Sequence, residues 1–142
     1  MPVRNASAVW EGGLRGGKGS FQTGSGLVGG NYGFGSRFEE TPGSNPEELI
    51  AAAHASCFSM ALSHGLTEAG NPPEHLDVSA KVTLDEVGGA PTVTTSELTV
   101  SGRVPGIDQA AFEQAAAEAG KSCPISRALA GLEIKVVEAT LG

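Results

Sequence analysis

The sequence predicts an α+β fold in which antiparallel strands surround one long central helix, and three observations carry that prediction. Glycine crowds the first third, with 12 of the 21 residues falling before position 46, interleaved with Trp10, Phe21, Tyr32 and Phe34. A single long stretch of helical spacing follows, from Leu49 to Ala69. Beyond it come two alternating segments around Gly88-Gly89, two short helical segments and a last alternating run. This order points to α+β with antiparallel pairing more than to repeated strand-helix-strand units. The 142 residues suit one domain, residues 1–142.

In the glycine-rich start, aromatic and β-branched residues keep returning between the glycines. That pattern marks short strands joined by turns that need positive φ, and two or three strands are expected. From Asn45 the character changes. Asn45-Pro46-Glu47-Glu48 supplies an N-cap, a proline at the first helical position and two acids at the positive end of the helix dipole, with Glu48 placed for a capping box. Leu49, Ile50, Ala53, Cys57, Met60 and Ala61 recur at helical spacing until Gly70 and Asn71-Pro72-Pro73 end the run. At about 1.5 Å per residue this helix is roughly 35 Å long, and Ala and Ser on several faces predict central burial with other elements close against it.

Leu76, Val78, Ala80, Val82 and Leu84 then alternate with polar residues, and Leu98 and Val100 do the same in a second strand ending near Val104. Gly88-Gly89 between them predicts a hairpin. Asp108 caps a helix carrying Phe112, Ala115, Ala116 and Ala119, which Gly120 is expected to stop. Cys123-Pro124 opens a short helix with Ile125, Leu129 and Leu132, and Leu132 to Leu141 reads as the last strand.

Nine basic against 16 acidic side chains give a formal charge of -7, so nucleic acid and anionic membrane surfaces are poor partners: holding a polyanion needs clustered Lys and Arg. No run approaches about 18 continuous apolar residues, and the start lacks the apolar stretch of a secretory signal. The expected location is the cytoplasm. There the Asn5-Ala6-Ser7 sequon has no meaning, and two cysteines do not make a disulfide framework.

Two phosphate-loop patterns are set aside. Gly24 to Gly29 matches the dinucleotide fingerprint, but Gly30-Asn31-Tyr32-Gly33 cannot be the helix that would hold a pyrophosphate. Gly12 to Lys18 spells most of a P-loop, yet Gly19 stands where Ser or Thr should hold magnesium. A metal site is also disfavoured. His54 and Cys57 lie three apart on one helix, but His64, His75 and Cys123 supply no second closely spaced pair, so His54 reads as a helix-surface or interface side chain.

The cysteines remain. Each suits a small buried hydrophobe. Cys123, before Pro124 at a helix start, stands where free N–H groups favour a thiolate; Cys57, in mid-helix, would need a cation from another segment, and the glycine-rich region offers Arg15, Lys18 and Arg37. Residues alone leave inert and redox-active readings both open.

The run Arg37-Phe38-Glu39, then Asn45 to Ile50 and Ala53-His54-Ala55-Ser56-Cys57-Phe58-Ser59-Met60-Ala61-Leu62-Ser63, resembles the osmotically inducible branch of the OsmC/Ohr family of bacterial thiol peroxidases. Val104-Pro105-Gly106-Ile107-Asp108 and Cys123-Pro124-Ile125-Ser126 extend the resemblance, Trp10-Glu11-Gly12 and Lys18-Gly19 anchor its start, and it covers essentially the whole chain. It implies an intertwined homodimer with the long helices central. It also implies reduction of organic hydroperoxides, with Cys57 as peroxidatic thiolate, Cys123 as resolving thiol, Arg37 as activating cation and Glu47 as the acid that holds the arginine. Neither metal, haem nor flavin is implied; the reductant is an external dithiol, for relatives a lipoyl group carried on a protein.

Ten residues of straight helix, about 15 Å, separate Glu47 from Cys57, so Glu47 of one subunit is expected to serve Cys57 of the other. Gly35 and Ser36 suggest that Arg37 rides on a mobile loop. Phe34, Phe38, Phe58 and Met60 are candidate walls of an apolar approach that prefers alkyl hydroperoxides to hydrogen peroxide. The rival class is a stress or small-molecule-binding protein with inert cysteines. A disulfide reductase or isomerase usually places its cysteines two residues apart, and here 66 positions separate them.

Overall fold

Three antiparallel strands open the chain: β1 (Ala6–Glu11), β2 (Lys18–Thr23) and β3 (Gly29–Tyr32), in that spatial order. Their register explains much of the glycine. Gly19 lies opposite both Trp10 and Tyr32, whose ring centroids are 5.6 Å apart, and a Cβ there would sit 2.6 Å from the tyrosine ring and 2.7 Å from the indole. Only glycine admits two rings so close to the backbone. Both phosphate-loop patterns lead into strands: Gly12 to Lys18 joins β1 to β2, and Gly24 to Gly29 joins β2 to β3.

The computed structural model describes all of Met1–Gly142, and the chain divides into two units, Met1–Leu49 and Ile50–Gly142. The first unit also holds α1 (Phe34–Phe38), a single helical turn where a mobile loop was expected. Ser36 explains the turn. Its hydroxyl accepts from Gly33 N–H at 3.0 Å and reaches the Ser44 carbonyl at 2.7 Å, while Asn45 Nδ2 donates to the Ser36 carbonyl at 3.0 Å. Phe34 and Phe38, one turn apart, add a ring pair at 5.1 Å.

Helix α2 (Pro46–Glu68) starts as its caps dictate, with Glu48 N–H donating to Asn45 Oδ1 at 2.8 Å, and Gly70 follows its end at φ +91°. Its length and composition would pass for a membrane span, with a mean hydropathy of 1.3. Phe58, Leu62 and Leu66, however, belong to the core of the second unit. The buried stripe is His54, Phe58, Leu62 and Leu66, whereas Ala53 and Met60, both part of the helical spacing in the sequence, are exposed. Central burial therefore does not hold within one chain: a face carrying Ala52, Ala53, Ser56 and Met60 stays open.

Strands β4 (His75–Val87) and β5 (Ala90–Arg103) form the hairpin, closed by Gly88 and Gly89 at φ +59° and +82°. Ser96, Leu98 and Val100 alternate inward from β5 and are all fully buried. Helices α3 (Gln109–Ser122) and α4 (Pro124–Ala128) lead to β6 (Glu133–Leu141), which pairs with β5 in parallel. Every other strand pair is antiparallel. This one is parallel because its connection is a helical crossover, which lets β6 re-enter in the direction of β5.

Gly120 lies inside α3 and does not stop it. A Cβ there would come within 2.8 Å of Val136 Cγ2, so the glycine serves close helix-to-strand packing.

Candidate active site

In the Ile50–Gly142 unit, Cys57 and Cys123 are both free and belong to one apolar cluster, Cys123 fully buried and Cys57 half-buried. Helix α2 carries the first, and the junction of α3 and α4 the second. Burial pushes the Cys57 thiol up from its ordinary value; a hydrogen bond with the Ile125 backbone pulls it back, and Cys123 beside it pushes it up again through a side-chain hydrogen bond and charge. Cys123 is the N-cap of α4, its Sγ accepting from Ser126 N–H at 3.2 Å.

Behind Cys123 lies a chain of polar groups that sequence reasoning missed. Cys123 Sγ is 3.1 Å from Ser126 Oγ, which is 2.8 Å from His54 Nε2, and His54 Nδ1 is 2.6 Å from Ser96 Oγ. His54, Ser96 and Cys123 have no exposure and Ser126 has 4%. The expectation of a surface or interface histidine is thus overturned. His54 falls on the stripe that packs inward, and two serines satisfy its ring. Burial pushes its pKa below the usual histidine value, so the ring is neutral near pH 7. The signal was there in part: Ser96 occupies an inward position of an otherwise apolar alternation, and Ser126 stands three residues after Cys123.

In the Met1–Leu49 unit, Arg37 and Glu47 meet. Nε and Nη2 of the guanidinium lie 3.1 and 2.9 Å from Glu47 Oε1. The Ser36 and Asn45 bonds that fasten α1 to the start of α2 bring them together. Glu47 is 7% exposed, and its Oε2 is buried without a hydrogen-bond partner. Arg37, more open, also lies 5.3 Å over the Phe38 ring. It lines a cavity of about 280 Å³ with Trp10, Leu14, Tyr32, Phe34 and Phe38. Of the expected pocket walls, Phe34 and Phe38 line this cavity, Phe58 is core and Met60 is exposed.

A family model described as OsmC-like protein matches residues 38–137. The chain belongs to the OsmC family. Peroxiredoxin OsmC of Escherichia coli is 46% identical over 127 residues, covering 89% of each chain, and that of Shigella flexneri matches to the same extent. Two crystal structures share the OsmC/Ohr fold. The organic hydroperoxide resistance protein OsmC of Legionella pneumophila has a TM-score of 0.71 at 23% identity over 99% of both chains. OhrB of Bacillus subtilis has 0.70 at 22% identity, covering 97% of this chain and 98% of its own.

Proposed function

We propose that this chain reduces organic hydroperoxides to alcohols through a cycle in which Cys57 passes from thiolate to sulfenic acid to a disulfide with Cys123. At the coarser level the chain is an enzyme, a peroxidase, in keeping with 46% identity to a peroxiredoxin over most of its length. The observation that carries the finer reading is the meeting of two free thiols, from positions 57 and 123, in one core. The Cys57 thiolate attacks the terminal peroxide oxygen, the O–O bond breaks, and the alkoxide leaves and is protonated to the alcohol. Cys123 then attacks the sulfenic sulfur, forming S–S and expelling the oxygen as water. An external dithiol of the lipoyl type reopens the disulfide. The cycle needs no metal, haem or flavin.

The surroundings of Cys57 push its thiol up, so its thiolate needs a cation. Arg37 fills that role, with Glu47 fixing its orientation and the guanidinium also stabilising charge on the departing oxygen. The working form is a homodimer in which the Arg37–Glu47 pair of one protomer serves the thiol of the other; the open small-residue face of α2 supports such a partner. The apolar cavity beside Arg37 favours alkyl over hydrogen peroxide.

The test is intact mass and free-thiol count after one equivalent of cumene hydroperoxide, beside hydrogen peroxide. Expected is loss of both thiols, a mass decrease of about two hydrogens, and a faster reaction with the organic peroxide. Two unreacted thiols would overturn the reading and favour a binding protein with inert cysteines.

A further inference from the structure

The cycle just described leaves one buried group idle. His54 is a titratable ring with no exposure, in the same core as Phe58, Leu62, Leu98 and Val100. Filling that position with a hydrocarbon would avoid burying a polar ring altogether. What surrounds it is unusual in kind: a hydroxyl at each nitrogen, with one of those hydroxyls touching the Cys123 sulfur.

Resting on the Cys57–Cys123 cycle proposed above, we infer that His54 accepts the Cys123 proton through the Ser126 hydroxyl when the disulfide forms. Cys123 must attack as a thiolate, yet its sulfur is fully buried, so the proton leaves through protein groups. A neutral imidazole carries one N–H and one acceptor nitrogen, and a hydroxyl can donate and accept at once. With the N–H on Nδ1 directed to Ser96 Oγ, Nε2 accepts from the Ser126 hydroxyl, whose oxygen in turn accepts from Cys123 S–H. The chain then runs in one direction from sulfur to imidazole.

The proton balance closes. The Cys123 S–H proton moves to Ser126 Oγ as the Ser126 proton moves to His54 Nε2, leaving a thiolate, a neutral serine and an imidazolium. The thiolate lone pair becomes the S–S bond, the S–O bonding pair departs with the hydroxyl, and that hydroxide takes up one proton to leave as water. That proton is the one held by the imidazolium, returned through the Ser126 hydroxyl, so the neutral imidazole is restored with no net proton gained or lost. The Ser126 backbone N–H, already 3.2 Å from Cys123 Sγ, steadies the thiolate while it exists. The imidazolium keeps two acceptors, Ser96 Oγ and Ser126 Oγ.

The experiment reads a competition within one molecule. Reduced protein receives one equivalent of cumene hydroperoxide in the presence of dimedone, which captures sulfenic acid, and intact mass counts disulfide against Cys57 adduct. Cys123→Ser, which cannot close the disulfide, sets the all-adduct limit. Ser126→Ala and His54→Gln are expected to raise the adduct-to-disulfide ratio about tenfold or more over wild type. Ser126→Thr, which keeps the hydroxyl, should restore it. Gln at 54 keeps polar bonds to the serines but is no base, so a merely structural histidine predicts a wild-type ratio there. Wild-type ratios in both Ser126→Ala and His54→Gln overturn the inference while leaving the cycle intact. Neither adduct nor disulfide in the wild-type protein overturns the cycle itself, and the relay with it. Should His54→Gln fail to fold, the Ala and Thr variants at 126 still decide.

Discussion

In the Met1–Leu49 unit the polar groups of interest are charged and partly open: a guanidinium that reaches solvent, an aromatic ring and a cavity, and a carboxylate with one oxygen used and the other unpartnered. In the Ile50–Gly142 unit they are neutral and dry, with both ring nitrogens of His54 satisfied by hydroxyls and the last hydroxyl resting on a thiol. An unsatisfied buried acceptor costs about 1–3 kcal/mol, so the first arrangement is held at some expense, whereas the second is closed. Under the proposed cycle the two regions would serve different steps. A group that meets a developing negative charge gains from a guanidinium that reaches solvent; a group that moves one proton over a fixed path gains from enclosure.

The sharpest way to break this comparison is to remove each sulfur. Cys57→Ser is expected to abolish consumption of cumene hydroperoxide, because the other free thiol, Cys123, is fully buried. Cys123→Ser should still consume one equivalent and then stop, with mass spectrometry showing one added oxygen. Equal loss in both variants would mean that the two cysteines do not act in sequence.

Next in size comes the charged region. Arg37→Ala is expected to slow the first step by about 10²-fold, the scale of losing one charge-stabilising donor, and Glu47→Gln by about tenfold through loss of orientation. Since burial pushes Cys57 up, the rate should climb with pH as the thiolate forms, and Arg37→Ala should move that climb to higher pH. Mixed dimers of Cys57→Ser and Arg37→Ala subunits separate the cross-protomer arrangement from its alternative. Recovered activity supports service across the dimer; none means each pair serves its own chain.

The two regions also differ in how far the sequence revealed them. The hairpin was legible because Gly88-Gly89 supplies two positive φ values between alternating runs, and the start of α2 because Asn45-Pro46 followed by two acids spells an N-cap and a first turn. The Arg37–Glu47 and Cys57–Cys123 candidates came from family resemblance. Small residues on every face of α2 leave its hydrophobic pattern nearly featureless, so helical spacing through Ala53 and Met60 does not single out the inward stripe through His54. Without that stripe, nothing in the spacing marks His54, Ser96 and Ser126 as one buried group. The parallel pairing of β6 depends on where a crossover returns, which alternation cannot report. Gly35-Ser36 alone suggests a loop, whereas the bonds of Ser36 make a helical turn.

Gly120→Ala tests whether the second unit is as tightly closed as its polar chain implies. The added methyl would approach Val136 Cγ2 to 2.8 Å, and overpacking of that kind costs typically about 1–3 kcal/mol. Lowered thermal stability with unchanged adduct-to-disulfide partition is expected. A variant as stable as wild type would show that α3 and β6 can part without penalty.

The smallest effect concerns pH. His54 has its pKa lowered from 6.5 by burial, so the unfolded chain binds this proton more readily than the folded one. Stability therefore rises with pH across this window: the contribution is fully present above about 6.5 and is lost as pH falls from there toward the folded value. Other groups titrate too, so the quantity to measure is the difference between wild type and His54→Gln in denaturant midpoints from pH 7.5 down to 5. The wild-type curve should fall more steeply with acid. Parallel curves would mean that the ring takes up its proton in the folded protein as easily as in water. The enclosure that distinguishes this region from the Arg37–Glu47 pair would then be leaky to protons, and Cys123 would not need His54 to lose one.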